Sequence, residues 1–105
     1  MKPKVGFAVI YRWRLHAAKV LQFQQAWERG TLRIAAERGG LGSRLHQADD
    51  GSWLAYAQWP DRASWQHSRE LGQVNAADTA LMEAAIIEAF PPLPLNTISD
   101  LLSSD

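Results

Sequence analysis

From Val5 to Leu15 the side chains alternate. Val5, Phe7, Val9, Tyr11 and Trp13 fall on one face, and Gly6, Ala8, Ile10, Arg12 and Arg14 on the other. A period of two in β-branched and aromatic residues predicts a strand. From Ala17 to Arg38 the spacing changes. Val20, Phe23, Trp27 and Ile34 recur at helical steps, which predicts an amphipathic helix. Gly30 weakens its middle by about 1 kcal/mol relative to Ala and marks where a kink would fall. Gly39 and Gly40 end it, because Gly reaches the left-handed C-cap conformation without a Cβ clash.

Two extended runs follow, Ser43 to Ala48 and Trp53 to Trp59, flanking Asp49-Asp50-Gly51-Ser52. Asp-Gly between such runs predicts a hairpin with a type I′ turn. In the second run Trp53, Ala55, Ala57 and Trp59 share one face, and Leu54, Tyr56 and Gln58 the other. Pro60 ends that strand. Asp61 is placed to cap a helix running to about Glu70. Leu71 and Gly72 interrupt it, and Asn75 can cap a second segment. There Leu81, Met82, Ala85, Ile86 and Ala89 form an apolar stripe, stopped by Pro91, Pro92 and Pro94. Leu95 to Leu102 reads as a last strand.

The order β-α-β-β-α-β predicts an α+β, ferredoxin-like fold: a four-stranded antiparallel sheet with its helices on one face. The other face then needs an explanation. A sheet face that meets water alternates with polar residues, yet the first and third strands carry bulky or apolar side chains on both sides. Exposing Ile10, Leu54 and Tyr56 together would leave an apolar patch of the kind that marks an interface. The expectation is a homodimer, two sheets packed face to face into an α+β barrel with Tyr56 at the junction.

Composition adds limits to this picture. With 105 residues and 47% hydrophobic side chains, the chain reads as one globular domain and not as a disordered segment. The absence of Cys removes disulfides, thiolate metal sites and a Cys nucleophile. Residues 1–52 hold nine Lys and Arg against four Asp and Glu, whereas 53–105 hold two against seven. The basic residues are scattered singly, which argues against a nucleic-acid partner and for a basic helix packed beside an acidic one. No apolar run approaches the roughly 20 residues of a membrane span. Lys2 and Lys4 precede an apolar stretch, but Arg12 and Arg14 interrupt it and no cleavage site follows. The chain reads as cytoplasmic, with a short polar tail at 103–105 that has the composition of a disordered end.

Chemistry-bearing motifs are few. No nucleophile elbow, phosphate-binding loop or dinucleotide fingerprint occurs, and His16, His46 and His67 lack ligand spacing, so no metal site is expected. His67, two residues after Trp65, is the best placed of the three for proton transfer. Arg12 and Arg44 lie on strands among apolar neighbours, where they can pair with an acid or snorkel. Trp59 and Trp65 fit either a core or the wall of an apolar pocket.

The stretch Gly42-Ser43-Arg44-Leu45-His46, then Asp50-Gly51, then Tyr56 to Trp65, resembles the antibiotic biosynthesis monooxygenase family. Phe23-Gln24-Gln25-Ala26-Trp27 and the closing Pro91-Pro92 are similar as well. The resemblance spans nearly the whole chain and implies a dimeric barrel with a pocket between sheet and helices. That pocket would be lined by Trp59, Trp65, Phe23 and Trp27, would take a small aromatic or apolar molecule, and would need no cofactor. Family members include cofactor-independent oxygenases that turn polycyclic phenols into quinones, and haem-degrading enzymes. The third-strand Trp of both matches Trp59. The Asn of the phenol oxygenases falls on Ala55 and their helical Tyr on Trp65; the Asn of the haem-degrading branch has no match on the first strand. The resemblance thus implies a cofactor-independent monooxygenase, for which His67 is the candidate that the residues themselves offer for proton transfer, or a non-catalytic binding or structural dimer.

Overall fold

The computed structural model describes residues 5–102. A central strand β1 (Phe7–Leu15) leads through a short 3-10 turn at Ala17–Lys19 into α1 (Val20–Glu37). The hairpin β2 (Ser43–Gln47) and β3 (Trp53–Trp59) follows, then α2 (Arg62–Glu70), α3 (Ala76–Ala85), β4 (Ile86–Ala89) and β5 (Leu93–Asn96). The sheet runs β2-β3-β1-β4, every pair antiparallel, with β5 also on β1. The ferredoxin-like α+β order is as the pattern predicts. The tail at 103–105 and the lysines at 2 and 4 lie outside the described residues.

Local chemistry explains most boundaries. Asp61 and Asn75 cap α2 and α3 as expected, their side chains accepting from Ser64 N–H at 2.7 Å and Asp78 N–H at 2.9 Å. α1 runs unbroken through Gly30 and ends at Gly39, whose φ is +80°. The hairpin is right but its turn is not type I′. Only Gly51 has positive φ in the loop, and Gly51 N–H donates to Ala48 C=O while Ala48 N–H donates to Ser52 C=O. This is a three-residue loop, a turn over Asp49-Asp50 closed by a left-handed Gly. Asp50 stays at negative φ because its carboxylate accepts from Ser52 N–H (2.9 Å) and Ser52 Oγ–H (2.6 Å), an Asx turn.

The end of the chain departs from expectation. The apolar stripe does not stay helical to Ala89; α3 stops at Ala85 and Ile86–Ala89 becomes a strand. The β-branched pair Ile86-Ile87 favours extension, and the edge of β1 offers unpaired backbone groups. His16 N–H donates to Ala85 C=O and Phe90 N–H to Arg12 C=O. Pro91-Pro92 then breaks the ladder, and Leu93–Asn96 resumes it along Phe7–Ile10. Two short strands thus share the place of the predicted fourth. Ile98, Leu101 and Leu102, assigned to that strand, are exposed.

Register sorts the two sheet faces. Phe7 faces Trp59, Val9 faces Ala57, Tyr11 faces Ala55 and Trp13 faces Trp53. This face meets the helices: Phe7 and Trp65 rings lie 5.5 Å apart, Trp13 and Phe23 rings 5.0 Å. Phe7, Val9, Trp59 and Trp65 form the buried core. The other face carries Ile10, Leu54 and Tyr56, half-buried, beside Arg12. Arg12 is held by Asp50 at 2.8 Å and Ser52 at 3.2 Å and lies over the Phe90 ring. Between α1 and α3, Arg29 pairs with the buried Asp78 at 2.8 Å, so the basic first half does meet the acidic second half there.

Gly6 enters β1 against the turn after β3, where a Cβ would run into the Pro60 carbonyl oxygen. Backbone cannot step aside, so Gly6→Ala should cost about 1–3 kcal/mol. At Gly30 a Cβ would meet nothing within 4 Å, so Gly30→Ala should gain up to about 1 kcal/mol from helix propensity. Urea unfolding midpoints read both changes, and the two should move in opposite directions.

Candidate functional site

The helices do not close down on the middle of the sheet. Beneath α1 lie two adjoining cavities of about 220 and 260 Å³. The first is bounded by Trp13, Trp27, Thr31, Gly40 and Ala57; its wall is largely apolar. The second runs under α2 and α3 against Ala26, Trp65, Ser68, Arg69 and Asp78. Tyr11, Gly30, Ile34, Trp59 and Met82 border both. They make a waist, and the missing side chain of Gly30 keeps it open. Each lobe alone falls short of the roughly 300 Å³ at which small-molecule sites begin, and together they reach it.

Small residues make this space. Ala55 and Ala57 lie between Trp53 and Trp59 on one face of β3, so the large side chains frame a depression between them. Gly40 packs so closely that a Cβ would lie 2.7 Å from Ile34 Cγ2, and this lets the chain after α1 pass over Trp59. Arg38 fastens the far end, donating to the carbonyls of Ser68 at 2.9 Å, Gly72 at 2.6 Å and Gln73 at 3.4 Å. That guanidinium ties the end of α1 to the link between α2 and α3.

The expected site residues divide. Trp59 borders both lobes, Trp27 the first and Trp65 the second. Phe23 is fully buried beneath Trp13 and lines neither. His67 is exposed and borders neither lobe. The helical repeat explains why: Trp65 and Ser68 turn inward, which puts position 67 on the solvent side. Proton transfer by His67 therefore has no geometry behind it. His16 and His46 are also exposed and away from the cavity, so the site offers haem iron no imidazole. Among the described residues no three metal-ligating side chains come together, and no helix is long and apolar enough to cross a membrane.

The residue missed from sequence is Tyr11. It stands directly opposite Ala55, and the small side chain there leaves room for the phenol. The Tyr11 hydroxyl accepts from Trp65 Nε1–H at 2.9 Å. Arg69 covers the Trp65 ring at 4.8 Å, a cation over an indole face. Burial pushes the Tyr11 phenol above its ordinary pKa of 10.0, against the opposing pull of the Trp65 hydrogen bond and the Arg69 charge. The alternation along β1 puts Tyr11 on the Val9 face; only the register shows what it faces.

Because the fold favours the neutral phenol, Tyr11 contributes stability that is fully present below the unfolded pKa and is lost as pH rises through the higher folded one. An alkaline absorbance titration should show a tyrosinate step above pH 10.0 that vanishes in Tyr11→Phe. A titration unchanged by that substitution would remove burial as the cause.

The chain is similar in structure to SnoaB, a cofactor-independent oxygenase from Streptomyces nogalater: TM-score 0.73 at 17% identity, over 95% of this chain and 100% of that one. It is similar to Rv0793 from Mycobacterium tuberculosis, TM-score 0.72 at 14% identity, over 91% and 98%. A dimeric ferredoxin-like protein from an uncultured marine organism gives 0.73 at 8%, over 97% and 96%. These likenesses establish the shared fold. No curated protein matches by sequence. The model of the antibiotic biosynthesis monooxygenase family matches residues 6–80, from β1 through the cavity to the first turn of α3, and the chain belongs to that family.

Proposed function

We propose that this protein is a cofactor-independent oxygenase acting on a small aromatic or otherwise apolar molecule held across the waist of the cavity. One observation carries the reading: an apolar lobe and a more polar one meet at Tyr11 and Trp59, under helices that shield them. SnoaB, of the same fold, is described as a cofactor-independent oxygenase, which supports it. For a tricyclic anthrone the reaction balances without an added reductant. The anthrone gives four electrons to O2; one oxygen atom becomes the new carbonyl and the other leaves as water with the two hydrogens lost from carbon. The protein's share is to position the ring and to replace water by an apolar wall.

Ala55 and Trp65 stand where the family resemblance places an Asn and a Tyr, and this favours a second reading, a binding protein without turnover. The two separate cleanly. With anthrone the oxygenase should take up O2 above the rate in buffer and form anthraquinone. Gly30→Leu, which fills the waist without meeting any neighbour within 4 Å at its Cβ, should abolish uptake while the fold persists. Ligand-dependent rise in the unfolding temperature without O2 uptake would decide for binding alone.

The half-buried apolar face of Ile10, Leu54 and Tyr56 supports a homodimer closed sheet against sheet, as does the dimeric state of the marine ferredoxin-like protein. Sedimentation at micromolar concentration should give twice the chain mass of 11.7 kDa. A species at the single-chain mass would overturn the dimer. Charge introduced by Tyr56→Glu should shift the population toward that mass.

A further inference from the structure

Several polar groups around the second lobe are engaged. Arg38 donates to three backbone carbonyls, and Asp78 is neutralised by Arg29. Asn75 Oδ1 accepts from Asp78 N–H and Thr79 Oγ1 donates to the Asn75 carbonyl. Among the described residues the free donors include the Gln73 and Asn75 amides and three groups close to Trp65. Tyr11 accepts a hydrogen bond from Trp65, and its own O–H has no acceptor. Ser68 Oγ makes no hydrogen bond among the described residues and opens on the lobe, since no enclosed side-chain polar atom is left without a partner, and Arg69 has no carboxylate within ion-pair distance. Ser68 and Arg69 sit three and four residues after Trp65, on its side of α2, and all three border the same lobe as Tyr11.

A cavity wall with two free hydroxyl donors and one unpaired cation, and with its only carboxylate already paired, is complementary to an anion. The first lobe, by contrast, is apolar. We propose that the ligand of this site is an arene bearing a carboxylate: the ring system lies in the first lobe against Trp27 and Trp59, and the carboxylate reaches through the waist to accept from Tyr11 and Ser68 beside the Arg69 charge. The proposal rests on the cavity being the ligand site, as above, and adds to it the chemical class and the end-to-end orientation of the ligand. The Trp65 hydrogen bond sets the direction of the Tyr11 hydroxyl, since its lone pair is engaged and its proton is turned elsewhere.

Three naphthalenes test it by quenching of tryptophan fluorescence: 2-naphthoate, the neutral ketone 2-acetonaphthone, and naphthalene itself. Naphthoate should bind about tenfold or more tighter than naphthalene, with the ketone between, as expected when a hydrogen bond to a charged group is gained. Arg69→Gln, an exposed position whose loss leaves the core intact, should weaken naphthoate about tenfold and leave the ketone unchanged. Tyr11→Phe should weaken both and leave naphthalene unchanged. Naphthoate binding no tighter than naphthalene, or unmoved by Arg69→Gln, would overturn the carboxylate anchor while leaving the cavity reading in place. No binding of any of the three would overturn both.

Discussion

The contact on which the rest depends is a large side chain set opposite a small one: Tyr11 against Ala55 across the β1–β3 ladder. Exchange the two sizes and the phenol would have no space. Because Ala55 is small, Tyr11 can lie along the sheet and meet Trp65 from α2. Trp65 in turn packs on Phe7 and carries Arg69 over its ring. One hydrogen bond between a strand and a helix thus sets where α2 rests and which way a hydroxyl points inside the cavity. Buried polar pairs of this kind cost little when satisfied and much when broken.

This arrangement divides the packing between the two ends of β1. Phe7, Val9, Trp59 and Trp65 pack at the start of β1, and Phe23 with Trp13 near its finish. Between them the centre is hollow. Unfilled apolar volume lowers stability, and a chain of this size has little margin. Retaining such a hollow is the usual trade of stability for a binding function. The Arg38 clasp and the Arg29–Asp78 pair tie the helices to one another around it.

Much of this is legible in the sequence because it rests on local rules. The strand faces, both helix caps and the hairpin follow from alternation, Asp and Asn placement and an Asp-Gly pair. Local rules fail where they have a competitor. The turn type escapes them because the Asp50 side chain satisfies the loop without positive φ. Ile86 and Ile87 fit a helical stripe and a strand equally well, and only the open edge of β1, a long-range partner, decides between them. His67 is close to Trp65 in sequence, but a step of two on a helix turns a side chain nearly to the opposite side. Tyr11 escapes because its partner lies more than forty positions away, and no spacing within one element reveals a register.

One modest feature of β5 bears on how the molecule behaves in a crowd. Thr97 N–H donates to Gly6 C=O and Leu95 lies opposite Ala8, so by the alternation of an antiparallel ladder Pro94 turns its nitrogen to the outer edge of the sheet. At that point the edge has no N–H to offer. A stray extended segment seeking to add itself there would meet a gap in the row of donors, and the Pro91-Pro92 break just upstream shortens the row further. Natural sheets resist runaway strand addition in this way. The same two breaks disfavour edge-to-edge growth on the β5 side of the sheet.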